Sequence, residues 1–352
     1  MKRRYKKIWM GVRQRRLDAK HRKYHKHHKS VHQTPRRILS VLPPKEEVPV
    51  RGLVNAPQRL AILSGVSGCV RFFENIRNQS KVVTKQFGWK SVALNLSHIT
   101  DIDLPAMMVL KSLGRELGDY KINLSGNFPH DESCRDFFIK TGFLDDKVNQ
   151  QGVKFNKSEK TDYFSLNKGQ GKLRAEDTIR ICRIVQRACD HLGHDDFYDD
   201  VVAIIKEIAG NSIEWSKSYR EQWTLGVMFD NDVVTFTILD LGRGILDTIY
   251  RKFVKKIKGL FENDIDFLYD VFEKQYSSSS REENRYKGLP SIKKAYLEGK
   301  IQNLYVMTNS VLMSFEYPGN SVLFSNRRDA FKGTLYYWTI NKKQYNEIIR
   351  SN

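Results

Sequence analysis

A mixed α/β fold is what this sequence predicts, and three observations carry that expectation. Short apolar runs of strand length, VALNL at 92–96 and VVTFTIL at 233–239, lie among longer stretches whose apolar residues recur every three or four positions. The two periods alternate along the chain, which favours helices laid on sheets. A polar stretch at 150–172, rich in Lys, Asn and Gly, separates two such regions, 50–149 and 173–345, so two α/β domains joined by a linker are expected.

Residues 1–49 stand apart by composition. The chain carries a formal charge of +20, but residues 1–51 hold 17 Lys or Arg against Asp18, Glu46 and Glu47, a net of +14. Met1–Arg37 mixes these charges with His21, His25, His27, His28 and His32, and such a segment buries too little to offset its chain entropy. It reads as a disordered arm, or one ordered on binding nucleic acid or another polyanion with salt-sensitive affinity; a solubilising tail is an equally open reading. Val41–Pro49, with Pro43, Pro44 and Pro49, reads as an extended linker. No apolar run reaches membrane-spanning length and the N-terminus is charged where a signal peptide is apolar, so a cytoplasmic protein without a membrane partner is expected. Cys69, Cys134, Cys182 and Cys189 form no C-x-x-C pair and suit buried thiols better than a disulfide or zinc site.

In the first domain, Arg59–Leu63 reads as a short strand and Cys69–Arg77 as a helix with Val70, Phe73 and Ile76 on one face. Val92–Leu96 is a buried strand, and Leu104–Leu117 a helix with Pro105 in its first turn. Ile122–Leu124 is a further strand, followed by a helix over Cys134–Thr141 that Gly142 closes. The order ALNLSHITDIDLPAMMVL, then FFIKTGFLDD, resembles a STAS domain, the fold of sulfate transporters and anti-sigma-factor antagonists. Where antagonists carry a phosphorylatable Ser after the residue matching Asp103, this chain has Leu104-Pro105. The resemblance therefore implies a docking or scaffolding role and not a phosphorylation switch.

The second domain opens with a helical pattern from Arg174 to Gly193, an acidic turn at His194–Asp200, and a helix over Val201–Ser216. Val201, Ile204, Ile205, Ile208 and Ser212 form the core-facing stripe of that helix. Glu207 and Asn211 are four residues apart and stack on a neighbouring face. Such a pair can orient water and complete the shell of a hard cation; taken alone it also suits two solvated side chains. The strand at 233–239 ends in Asp240, followed by Gly242, Gly244 and Ile245. An acid there, beside open backbone, can accept a hydrogen bond from an exocyclic amine, though a tight turn that merely needs Gly reads the same way. Leu246–Lys258 and Phe267–Tyr276 look helical. Ser277–Ser280, Arg281, Arg285 and Lys287 then lead to Gly288-Leu289-Pro290 at a helix start, a setting that suits a polyphosphate. Ser291–Leu297 reads as helix, Asn303–Thr308 and Val311–Tyr317 as paired strands, and Gly333–Ile340 as the last strand.

Taken in order, E-x-x-x-N, D-x-G-x-G-I, the serine-rich basic run before Gly288, and Gly333-Thr334 resemble the Bergerat-fold (GHKL) ATPases, a superfamily of gyrase B, heat-shock chaperone ATPases, MutL, histidine kinases and anti-sigma-factor kinases. The anti-sigma-factor kinase branch is the most similar. The resemblance implies an α/β sandwich binding ATP and Mg²⁺. Glu207 is then the catalytic base and Asn211 the metal ligand. The nucleotide contacts fall on Asp240, Gly242, Gly244, Ile245, Ser279, Arg281, Arg285, Lys287, Gly288, Leu289 and Thr334. Trp215 stands where that branch commonly has His, and Pro290 removes one amide from the G-L-G pattern. The function implied is an ATP-driven conformational switch with weak ATPase activity, signalling to a protein partner, possibly anti-sigma-like, through the STAS-like domain; a homodimer is compatible with it. The alternatives are an anti-sigma-type serine/threonine kinase and a nucleic-acid-associated ATPase of a defence or mobile-element system.

Overall fold

Three sheets, of seven, three and two strands, and the helices packed on them make up the described part of residues 51–352, which form one unit. The computed structural model describes residues 53–84, 90–145, 147–149, 151–155, 164–171, 173–215, 222–250, 263–273, 288–324 and 330–342. The basic arm at 1–49 lies outside them, as do Ser279, Arg281, Arg285 and Lys287. The mixed α/β class expected from the sequence is the class observed.

The N-terminal part builds a three-stranded parallel sheet in the order β1 (Leu53–Asn55), β3 (Ser91–Asn95), β5 (Asn123–Gly126). β2 (Arg59–Leu60) and β4 (Asp101–Ile102) pair separately. Between them run α1 (Ile62–Val83), α2 (Leu104–Asp119) and α3 (Glu132–Lys140). The strand expected at 59–63 stops at Leu60, and α1 begins seven residues before the expected start, with non-helical backbone at Gly65. The cause is a cap that no local pattern reveals. Asp103, the N-cap of α2, accepts from Ala106 N at 2.8 Å with Oδ1 and from Leu63 N, in the first turn of α1, at 2.9 Å with Oδ2. One carboxyl thus satisfies orphan amides at two helix starts, and its burial pushes its pKa up to about 6. Asp103→Ala removes both caps and is expected to cost ~2–4 kcal/mol, roughly two capping interactions. A urea midpoint equivalent to less than about 0.5 kcal/mol of destabilisation would contradict the double cap.

The larger sheet is antiparallel throughout, in the order β11-β10-β9-β12-β8-β7-β6. Its strands are β6 (Phe164–Gln170), β7 (Gln222–Asp230), β8 (Val233–Asp240), β9 (Gln302–Asn309), β10 (Val311–Ser314), β11 (Val322–Leu323) and β12 (Phe331–Asn341). β6 falls in the stretch expected to join the two domains, where the sequence also offers a strand at Tyr163–Leu166; it runs on to Gln170, pairs with β7 from Phe164–Met228 to Gln170–Gln222 and forms one edge of the sheet. Helices α4 (Ala175–Leu192), α5 (Tyr198–Trp215), α6 (Asp264–Glu273) and α7 (Gly288–Leu297) complete this part. Asp199 and Asp200, expected in a turn, lie in the first turn of α5, where carboxylates suit the helix dipole. A further helical segment spans 245–250 and continues outside the described residues.

Both faces of the large sheet are covered. Phe236 and Ile238 of β8, Val227 and Phe229 of β7, and Tyr336, Trp338 and Ile340 of β12 pack with α4–α7. Leu239, Met307, Leu312 and Leu335, on the opposite face, share a core with Val66, Phe73, Met108 and Leu113 of the N-terminal part. Gly226 lets α2 approach β7, since a Cβ there would run into Met108. The Ser112 hydroxyl donates to Thr224 Oγ1 at 3.1 Å across the same contact, and Gln222 Nε2 donates to Asp119 Oδ2 at 2.7 Å. The two parts therefore share a hydrophobic core. Burial on both sides explains why β8 is a run of apolar and β-branched residues up to Asp240, with Thr235 and Thr237 buried among them. Among the described residues no helix is long and apolar enough to cross a membrane.

Candidate functional site

A cavity of about 540 Å³ opens at the end of the sheet where β8 finishes. α5 contributes Ile208, Asn211 and Ser212, β8 contributes Asp240, and the turn after it supplies Gly244, Ile245, Thr248 and Ile249. Leu289 of α7 and Thr334 and Tyr336 of β12 complete the lining. The lining mixes aliphatic side chains with the polar groups of Asn211, Ser212, Asp240, Thr248, Thr334 and Tyr336. A few polar groups in a mainly apolar pocket can fix the orientation of a small ligand.

Asp240 is strongly perturbed. It lies opposite Thr334 on β12 and is buried. Its Oδ1 accepts from Gly242 N at 2.8 Å, while Oδ2 lies 3.3 Å from Ser212 Oγ. Burial pushes its pKa up to about 7, against the lowering effect of those two donors. The protonated form fits the network well. Ser212 Oγ donates to Asp240 Oδ2 and also lies 2.9 Å from Ile208 O; once the carboxyl is protonated its O–H can donate to Ser212, leaving the serine hydrogen for Ile208 O. A carboxyl whose folded pKa exceeds its unfolded value binds an extra proton in the native state, so its contribution to stability is complete below pH 4 and is lost as pH rises through 7. Asp240→Asn lacks that titration. The melting temperature of the variant relative to the parent is therefore expected to rise from pH 5 to pH 8; a constant difference across the range contradicts a protonated Asp240.

The turn after Asp240 is held from β9 in a way the sequence did not disclose. Gly244 has φ +84, and a Cβ there would overlap Asn309 and Thr308. Thr308 Oγ1 accepts from Ile245 N at 2.8 Å, Asn309 Oδ1 accepts from Leu246 N at 3.1 Å, and Asn309 Nδ2 donates to Arg243 O at 2.8 Å. Thr308 and Asn309 thus cap the helical segment at 245–250. Their only sequence signal was a polar Thr-Asn-Ser at a strand end, where it reads as a turn.

Glu207 and Asn211 meet as the four-residue spacing predicts, Asn211 Nδ2 donating to Glu207 Oε1 at 3.3 Å. That leaves the Asn211 amide oxygen accepting from no described residue. Glu207 itself does not line the cavity; it lies against Gly288, where a Cβ would occupy the position of its carboxylate. Gly288 therefore brings the start of α7 onto the α5 face that holds Glu207. Of the expected site residues, Asn211, Asp240, Gly244, Ile245, Leu289 and Thr334 line the cavity. Glu207, Gly242 and Gly288 join it through the contacts just given, and Ser279, Arg281, Arg285 and Lys287 lie outside the described residues. The Thr334 hydroxyl faces the cavity and makes no hydrogen bond to any described residue. Among the described residues no cluster of three or more His, Cys, Asp or Glu side chains is placed to hold a metal.

No protein-family model matches the chain, and no curated protein sequence matches it either.

Proposed function

We propose that the chain binds Mg-ATP in this cavity and hydrolyses it slowly, using the nucleotide to bias its own conformation in the manner of the Bergerat-fold ATPases that its motifs resemble. The observation that carries the reading is convergence. Residues from a helix, a strand end, a separate helix start and the last strand, spread over more than 120 positions, surround one cavity that the Asp240 carboxyl lines.

Each group has a task in that reading. Asp240 accepts from the exocyclic amine of adenine, and Thr334 stands beside it. Ile208, Ile245, Ile249 and Leu289 exclude water from the faces of the base. The start of α7, the positive end of its helix dipole, faces the phosphates. Glu207 takes the proton of the attacking water as it adds to the γ-phosphorus, while the bond to the bridging oxygen breaks. Asn211 offers its amide oxygen to Mg²⁺, and bound Mg²⁺ supplies neutralisation of the phosphate charge. The N-terminal part, the STAS-like region of the sequence, suits the role of output element. Its α2 lies on β7 and β8, and a second cavity of about 300 Å³ lined by Ser112, Glu116, Thr224 and Asp240 separates it from the strand end.

Incubation of the full chain with γ-labelled ATP and Mg²⁺ tests the reading. Label is expected in free phosphate and not on the chain, since Leu104 occupies the position of the antagonists' acceptor serine. Stable label on serine or threonine of the chain, or of a protein added from lysate, would favour the kinase chemistry of the anti-sigma-factor branch.

A further inference from the structure

β12 carries a second hydroxyl into the cavity. Tyr336 lies two residues beyond Thr334, on the same face of the strand, and its register partners are Ile238 and Val306. The residue is 3% exposed, yet it lines the cavity. Its phenol makes no hydrogen bond to any described residue. The ring is packed in the core, while its hydroxyl is not among the buried side-chain polar atoms left without a partner, which fits an O–H that reaches the cavity and can meet water or a ligand there. Burial, reinforced by the carboxyls of Asp240 and Glu207, pushes the phenol's pKa far up, so at any working pH it is an O–H donor.

A donor near the Asp240 acceptor defines a two-point pattern. Adenine presents an amine hydrogen and, beside it, the ring nitrogen N1, a donor next to an acceptor. A 6-oxopurine presents the reverse, an acceptor oxygen next to an N1–H donor. We propose that Tyr336 contacts the nucleobase directly and fixes its identity, its O–H donating to N1 while Asp240 holds the neighbouring amine. This inference rests on the ATP reading above, and it adds a residue and a base selectivity that the motifs alone do not supply.

The test is competition binding of ATP, 1-deaza-ATP (carbon in place of N1) and GTP to the full chain and to Tyr336→Phe, with a fluorescent ATP analogue as the reporter. Tyr336→Phe is expected to bind ATP roughly 5- to 30-fold more weakly, the loss of one buried hydrogen bond. It is expected to bind 1-deaza-ATP as the parent does, and to discriminate less between ATP and GTP. Without nucleotide its melting temperature should match the parent's, because phenylalanine keeps the ring in the same core. Equal ATP affinity in parent and variant, or an equal loss for ATP and 1-deaza-ATP, overturns the N1 contact while leaving the ATP reading standing. A parent chain that binds no nucleotide at all overturns both.

Discussion

Asp240→Asn is expected to weaken ATP binding roughly ten- to a hundredfold while the chain stays folded, the cost of a buried charge-assisted hydrogen bond. The carboxyl accepts from Gly242 N and sits opposite Thr334, so an amide of the same shape keeps the turn. What it loses is the ability to become an anion when an amine approaches. Because Asp240 is held near pKa 7, binding the adenine amine to the carboxylate is coupled to release of the Asp240 proton to solvent. The parent's affinity should therefore rise between pH 6 and pH 8 more steeply than the variant's. Isothermal titration of both chains at the two pH values measures both effects, and unaltered affinity in the variant contradicts the assignment of Asp240 to the base.

Glu207→Gln is expected to leave binding largely intact and to lower turnover by roughly 10²- to 10⁴-fold, the usual weight of a general base. The amide keeps the volume that Gly288 makes room for and can still meet Asn211, so the helix contact survives. Single-turnover hydrolysis under saturating ATP separates the step from binding. Equal rates in parent and variant would remove Glu207 from the chemistry and leave it a packing partner of α7.

The parts of this site that were legible in the sequence are those whose logic is local. The Glu207–Asn211 spacing needs only a helix, and VVTFTIL running into Asp240 needs only a buried strand. β7 was not legible, and the reason is physical. Trp223, Leu225, Val227 and Phe229 face the helices on one side, whereas Thr224, Gly226 and Met228 face α1 and α2 on the other. With both faces buried and small residues required where α2 comes close, the polar–apolar alternation of a one-sided strand is absent. The start of α1 was hidden because its cap, Asp103, lies forty residues along the chain. Thr308 and Asn309 hold the Gly244 turn from 63 residues away, and Tyr336 acquires its meaning only from the cavity into which β12 turns it. Contacts between distant segments leave no period in a sequence.

The most direct measurement is a crystal structure of the full chain with Mg²⁺ and a non-hydrolysable ATP analogue. The account predicts the adenine amine within hydrogen-bonding distance of Asp240, N1 on Tyr336, and the phosphates running past Asn211 towards the start of α7. A nucleotide bound elsewhere, or the slot between α5 and β12 empty at saturating analogue, would contradict it.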